Sequence, residues 1–372
     1  MPQSHNGHSK IKDRPNTISR RMSALRPWIA AALLNAAPAV ALAAYEGEFI
    51  PFPQVDVHFN DRDVPNLTQH GSEALVDFFY TASFDDWRLL SELLVSSEER
   101  DLERLTIGRV SAGGAQLWLG RNHTDLDQWN HLFHRETYLQ TSIHRPGIIE
   151  FEDEGGVIPA HITGLTLENN RDVDGQTFNY GFTAGLGPGL EQEHLVPFNI
   201  LASNEGSHDL AVTAHLSDQP ETGSFPDSGL FFGHTIMPSR SANIREVRQT
   251  VLGAYTNYTK NTLVVRASVF YVANDLDLTG GVKKKESFGY AYLQPEYDLD
   301  PTWTLYGRLE RTSGAEDDLF IRQVPSFIDN RSLVGARYQM KNGQVLKFEL
   351  ATLEQYNRHF ARAEIQWSAA LP

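Results

Sequence analysis

The side chains best suited to chemistry gather between positions 123 and 154. His131 and His134, three apart and followed by Glu136, are the residue types of a zinc centre, and His123 and His144 lie nearby. A catalytic zinc motif needs a helix or strand to hold its ligands at fixed angles. No such periodicity runs through this stretch, so these read as ordinary loop histidines and no cofactor or metal site is expected. A serine nucleophile with a histidine base is the next option, with Ser142 to His144 and Ser203 to His208 as local pairs. Neither sits in a nucleophile-elbow sequence. Glu152, Asp153 and Glu154 form one run rather than facing each other across two elements, which gives acid–base catalysis no special support. Gly181, Gly185, Gly187 and Gly189 match no phosphate loop, and zero cysteines exclude thiolate metal sites, disulfides and cysteine catalysis.

A clearer pattern is charge and polarity recurring at every second position. Asp56, Asp77, His161, Arg266, Arg308, Glu310, Arg337, Lys347, Glu349, Arg358, Arg362 and Glu364 are assigned to the polar face of segments whose other face is apolar. Leu346, Phe348 and Leu350 alternate with Lys347 and Glu349; Trp303, Leu305 and Leu309 alternate with Thr304, Tyr306, Arg308 and Glu310. That is the period-two signature of β-strands, not the 3.6 of helices. The basic members cluster from Arg266 to Arg362, on one side of whatever wall the strands build.

Marking such segments with their turn residues predicts sixteen strands, near 52–60, 73–83, 87–97, 101–112, 115–123, 157–169, 175–187, 208–218, 228–239, 245–259, 261–275, 285–299, 301–313, 332–341, 344–355 and 357–367. A soluble sandwich also alternates, so loop length decides more. The odd connections include the long ones, 61–72, 124–156, 188–207, 276–284 and 314–331, whereas most even ones are tight. Tight turns are expected at Phe84-Asp85-Asp86, Ala112-Gly113-Gly114, Lys260, Asp300 before Pro301, and Asn342-Gly343. Two even connections, near 170–174 and 219–227, read as longer. Long loops on one rim and short turns on the other are what an outer-membrane barrel presents.

Residues 1–44 read as a leader with a secretory signal peptide: Arg20, Arg21 and Arg26 precede the apolar run from Pro27 to Leu34, and Ala41-Leu42-Ala43 is an Ala-x-Ala cleavage site. Removing them would leave 328 residues, 45–372, and take the net charge from −15 to −20. So acidic a chain excludes non-specific nucleic-acid binding, and no later stretch approaches a helical span. A closed barrel is the remaining way to cross a bilayer.

On these strands and loops the chain resembles the sixteen-stranded porins of Gram-negative outer membranes. One departure is the C-terminus, where Trp367 is followed by Ser-Ala-Ala-Leu-Pro rather than ending the chain. Either the last strand stops at Trp367 with a short tail, or the insertion signal is unusual. The fold expected is an all-β transmembrane antiparallel barrel with a polar lumen, wide enough for water. The resemblance implies a passive channel for small hydrophilic solutes or ions, a homotrimer, outer-membrane lipid and lipopolysaccharide as surroundings, and a third long loop that folds inward. That loop, 124–156, carries Asp125, Asp127, Glu136, Glu150, Glu152, Asp153 and Glu154, and opposite the basic wall these would set a transverse field. Its Trp129, Phe133, Tyr138, Ile148, Ile149 and Phe151 are able to pack it against a wall. A barrel-type hydrolase and a non-channel structural or adhesion barrel remain alternatives. Charge reversal at Arg308, Arg337 and Arg362 is expected to shift ion preference.

Overall fold

The computed structural model describes residues 45–62, 69–97, 100–132, 136–151, 156–191, 194–200, 206–219, 228–355 and 358–371. The expected leader, 1–44, lies outside them, as do Glu152, Asp153 and Glu154. The strands are β1 Tyr45–Asn60, β2 His70–Phe84, β3 Trp87–Ser96, β4 Arg100–Val110, β5 Gln116–His123, β6 His161–Val173, β7 Gln176–Leu186, β8 Gly189–Glu191, β9 His194–Val196, β10 Leu210–Gln219, β11 Ser228–Pro238, β12 Ile244–Lys260, β13 Leu263–Leu278, β14 Lys283–Asp298, β15 Trp303–Ser313, β16 Ile328–Gln339, β17 Gln344–Gln355 and β18 Arg358–Ala369. Sixteen of them close into one antiparallel barrel, and β8 with β9 forms a separate hairpin inside a loop.

Closure runs through β1 and β18, with Val55 opposite Trp367 and His58 opposite Glu364. Because it leaves no sheet edge, every wall strand finds backbone partners on both sides. The last strand does not stop at Trp367. It continues to Ala369, and Leu371 N–H donates to the Pro51 carbonyl at 3.0 Å.

Turn chemistry sets the strand order on the short-turn rim. Asp85, Asn261 and Asn342 adopt φ of 52°, 54° and 62°, and Gly343 follows at 69°; side chains that tolerate the left-handed region are what two-residue hairpins require. The connection after β6 departs from expectation. Rather than a longer loop at 170–174, β6 runs to Val173, and Asp174-Gly175, with φ of 51° and 82°, makes a tight hairpin. Its Asp-Gly pair was a legible turn signal. The connection expected at 219–227 lies almost wholly outside the described residues.

Outside the barrel, Leu119, Leu165, Leu252, Val269, Leu309, Val334 and Leu350 stand exposed, the last two at 61%. Tyr45, Trp87, Tyr258 and Tyr297 are exposed near the short-turn rim, where Trp303 packs on Tyr338 with ring centroids 4.7 Å apart. An apolar belt edged by aromatic rings is the surface that a bilayer and its interface satisfy and water does not.

The interior contradicts one expectation. The lumen is not polar throughout: Phe231, Val251, Phe270, Val272, Phe288, Tyr290 and Tyr292 are buried on β11–β14 and belong to one hydrophobic cluster. Loops fill that side. The cluster also takes Leu126, Trp129, Ile148, Ile149, Val157 and Ile158 from the connection after β5, Leu190 and Leu195 from β8 and β9, and Phe320, Val324 and Phe327 from the connection after β15. A dry core can exist inside a barrel only where side chains from loops displace the water.

Candidate functional site

The connection after β5, residues 124–160, is the element that shapes the lumen. It starts with a backbone reversal at Asp127, whose φ is 85°. The Asp127 carboxylate accepts the Trp129 N–H at 3.2 Å, which starts the short helix α1, Gln128–Leu132. A second, α2, spans Glu136–Leu139, and a 3-10 turn covers Gly147–Ile149. Trp129 is fully buried; its ring meets Tyr292 edge-on at 6.5 Å and its Nε1–H donates to the Tyr292 hydroxyl at 2.8 Å. This aromatic thus anchors the first half of the loop to the wall.

Further along, the loop is latched by charge. Arg308 of β15 has no exposed side-chain surface; it donates to Glu310 at 2.7 Å, to Gln294 at 3.0 Å, and to the carbonyls of His144 and Arg145 at 2.9 and 3.0 Å. Arg331 of β16 spans the same Glu310 at 2.6 Å and Glu150 of the loop at 2.9 Å. Glu310 also accepts the Gly147 N–H at 2.8 Å and the Tyr290 hydroxyl at 2.5 Å. His144 bridges Glu150 and, at 2.6 Å, Glu364 of β18. Lys347 donates to the Ser142 carbonyl at 3.0 Å, and Glu349 accepts the Ile143 N–H at 3.2 Å. Buried charges persist when each is paired and its remaining donors and acceptors are used, and here the loop backbone supplies the missing acceptors.

These contacts revise the transverse-field expectation. The acidic loop and the basic wall touch, as in Glu150–Arg331 at 2.9 Å, so part of their charge cancels at contact rather than across open water. Arg308, Glu310, Lys347, Glu349 and Glu364 face inward but lie under the loop. Arg266 pairs with Glu296 at 2.8 Å, and Thr141 of the loop donates to that same Glu296 at 2.7 Å. Asp56 is held by Gln54 and Gln366 at 2.5 and 2.7 Å, and Asp77 is buried. Arg337 and Arg362 are half-buried and Arg358 is exposed. His161 shares strand parity with the exposed Leu165 and Leu167, yet it is buried at the long-loop end of β6. The side chains of His131 and Glu136 lie outside the description, as does His134 altogether. Ser142 donates to the His144 carbonyl at 2.8 Å instead of to an imidazole, and Ser203 lies outside the described residues.

Sequence reading missed Arg331, Tyr290 and Tyr292. Arg331 fell at the end of an expected loop, although it shares parity with Arg337, and extending that alternation backward finds it. The tyrosines carried no signal, because an inward aromatic against a loop looks like an outward one against lipid.

On the opposite side the interior stays polar. A cavity of about 210 Å³ is bordered by Arg104, Thr106, Trp118, Asn122, His123 and Thr166 of the wall and by Asp125 and Asn130 of the loop. Arg104 pairs with Glu92 at 2.5 Å, and Thr166 meets Thr183 at 2.9 Å.

Three loop groups have displaced pKa values. Burial pushes Asp127 up to about 6, against hydrogen bonds from Ser268, Trp129 and Gln128. Its folded value exceeds the ordinary 3.8, so ionisation costs stability in full above about 6 and nothing below 3.8. Asp127→Asn, which also tolerates a positive φ, is expected to stabilise the protein on the order of 3 kcal/mol above pH 6 and to leave it unchanged at pH 3.5. Urea unfolding in detergent at both pH values reads this. For His144, burial opposes the charge, but the carboxylates of Glu364 and Glu150 outweigh it and push the imidazole up to about 10. Its contribution is whole below the ordinary 6.5 and is lost as pH rises through about 10. Glu150, held by Arg331 and His144 against its burial, lies below the usual carboxylate range. Proteolysis within the loop is therefore expected to stay slow below about pH 6.5 and to rise progressively from there to about pH 10; a rate that stays flat through that window counts against the latch.

The fold defines the class: this is a sixteen-stranded transmembrane β-barrel of the porin architecture, narrowed from inside by a loop. It is similar to an anion-selective porin from Comamonas acidovorans, with a TM-score of 0.58, 10% identity, and coverage of 88% of this chain and 100% of that one. Salmonella typhi OmpF in complex with daunomycin aligns with a TM-score of 0.57, 11% identity and coverage of 87% and 97%. The outer-membrane channel DcaP of Acinetobacter baumannii gives 0.56, 12%, and 88% and 98%. No family model matches the chain and no curated protein matches its sequence.

Proposed function

We propose that the protein is an outer-membrane channel of a Gram-negative bacterium for passive diffusion of small hydrophilic solutes or ions. One observation carries this: the 124–160 loop packs dry against β11–β14 while the opposite wall keeps a polar cavity of about 210 Å³ beside it. A barrel built only as an anchor has no need of an asymmetric interior, and Ser142, His144 and His208, the described hydrolase candidates, are held in structural contacts. The outward apolar belt supports lipid and lipopolysaccharide as its surroundings, and the homotrimer implied by the resemblance belongs to the same reading.

Conductance of the purified protein in planar bilayers tests the proposal. Discrete steps are expected, and Arg337→Glu or Arg362→Glu, both half-buried inward residues, should move the reversal potential in a salt gradient toward cations. Electrical silence from a barrel that still shows heat-modifiable migration would overturn the channel reading. Unmoved reversal potentials would remove the two arginines from the pore.

A further inference from the structure

Two irregularities of the wall converge at the long-loop end of β4, β5 and β6. In β4 the register against β3 shifts between Glu92 and Leu93, whose partners are Arg104 and Leu102, so Glu103 is the bulged residue between them. In β5, Gly120 has φ of 143°, and a Cβ there would come within 2.0 Å of the Leu105 carbonyl oxygen; only glycine lets the strands approach this closely. Bulges re-aim side chains. Here Glu103 is brought to His123, the last residue of β5, and His161, the first of β6, which pair directly across the ladder. The imidazole centroids are 4.5 Å apart, His161 Nε2 lies 3.2 Å from a Glu103 oxygen, and one donor atom from each of the three lies within 4.8 Å of the others.

We propose that Glu103, His123 and His161 form a binding site for a divalent transition metal of the zinc type. Two imidazoles and a carboxylate suit a borderline ion and disfavour Mg²⁺ or Ca²⁺, which take oxygen ligands. Ligand distances near 2.1 Å put donors on a tetrahedral ion roughly 3.4 Å apart, a spacing reached here by small rotations. All three residues are buried. Glu92, with an oxygen 3.9 Å from His123 Nε2, stands behind as a further carboxylate. His123 also borders the polar cavity, which gives the ion an entry path and leaves a face for water. Arg104, Arg121 and Arg145 act electrostatically on His123; Glu92 and Asp101 offset the first two by ion pairs at 2.5 and 3.0 Å. His123 and His161 are the roots of the loop, where Thr124 N–H already donates to the Ala160 carbonyl at 2.7 Å. A bound ion would staple β4 to both roots beside the cavity, so metal occupancy would lower conductance. The site itself does not depend on the transport reading.

Equilibrium dialysis of Zn²⁺ against the folded protein in detergent with excess Mg²⁺ tests it. One saturable ion per chain is expected, weakened at least about tenfold, the minimum loss that even outer-shell changes cause, in His123→Ala, His161→Ala and Glu103→Gln. His359→Ala, at an exposed histidine, should change nothing. Should the variants not fold, Cu²⁺ electron paramagnetic resonance on the unmodified protein reads coupling to two imidazole nitrogens. Absence of saturable Zn²⁺ binding, binding that survives loss of both histidines, or a spectrum without nitrogen coupling overturns the site.

Discussion

Replacing Arg308 with alanine is expected to cost the folded barrel about 3–5 kcal/mol, the usual penalty for breaking a buried ion pair from one side. Its guanidinium is enclosed and joins Glu310 to the carbonyls of His144 and Arg145. Alanine would leave Glu310 with one arginine instead of two and take one donor from each of two loop carbonyls, that of His144 keeping Ser142 and that of Arg145 keeping Arg331. Because those carbonyls belong to the loop and not to the wall, the loss should appear as loop release within a barrel that still closes. Proteinase K cleavage within residues 124–160, the steadiness of single-channel current and the urea midpoint measure it. Faster cleavage, larger fluctuating openings and a lower midpoint are expected. Arg308→Lys should rescue little, since an ammonium cannot present the planar fork that reaches Glu310, Gln294 and the two loop carbonyls at once. A change under about 1 kcal/mol, the scale of one ordinary hydrogen bond, with the loop still protected would show that the latch does not depend on this residue. Charge reversal at Arg308 therefore reports on loop docking, and the ion-preference expectation passes to Arg337 and Arg362.

Trp129→Ala is expected to undock the other half of the loop at a cost of about 3–5 kcal/mol, the range for emptying a large aromatic site. The indole is fully buried among Leu126, Tyr292 and the guanidinium of Arg308, which sits 5.8 Å over its ring. Wall pairing does not involve it, so unboiled samples should still run as a closed barrel while conductance rises. Trp129→Phe separates packing from polarity: it keeps most of the apolar contact, drops the 2.8 Å bond to Tyr292, and should lose about 1 kcal/mol. Unaltered conductance in the alanine variant would mean that the dry core does not hold the loop.

The wall was legible because lipid, backbone and water impose a rule on every strand. Leu309 and Leu350 had to alternate with Arg308 and Glu349, and Asp85, Asn261 and Asn342-Gly343 had to turn the chain. Where the reading slipped, at Asp174-Gly175 and at Arg331, the same local signals were present. The site was legible only in kind. Acidic and aromatic residues marked the third long loop, but which acid meets which base depends on how 37 residues fold within a closed space.

By itself the chain determined its sixteen strands, their faces except at His161, its loop parity and its acidic charge, since each follows from neighbours within a strand or turn. Tertiary structure alone decided that one side of the interior is dry, that Arg308 and Arg331 share one Glu310, and that Glu103 reaches His123 and His161. Contacts of this kind reach across 206 positions, from Ile143 to Glu349, and the energy of a buried charge is set by the partners around it in space, which alternation along a strand does not encode.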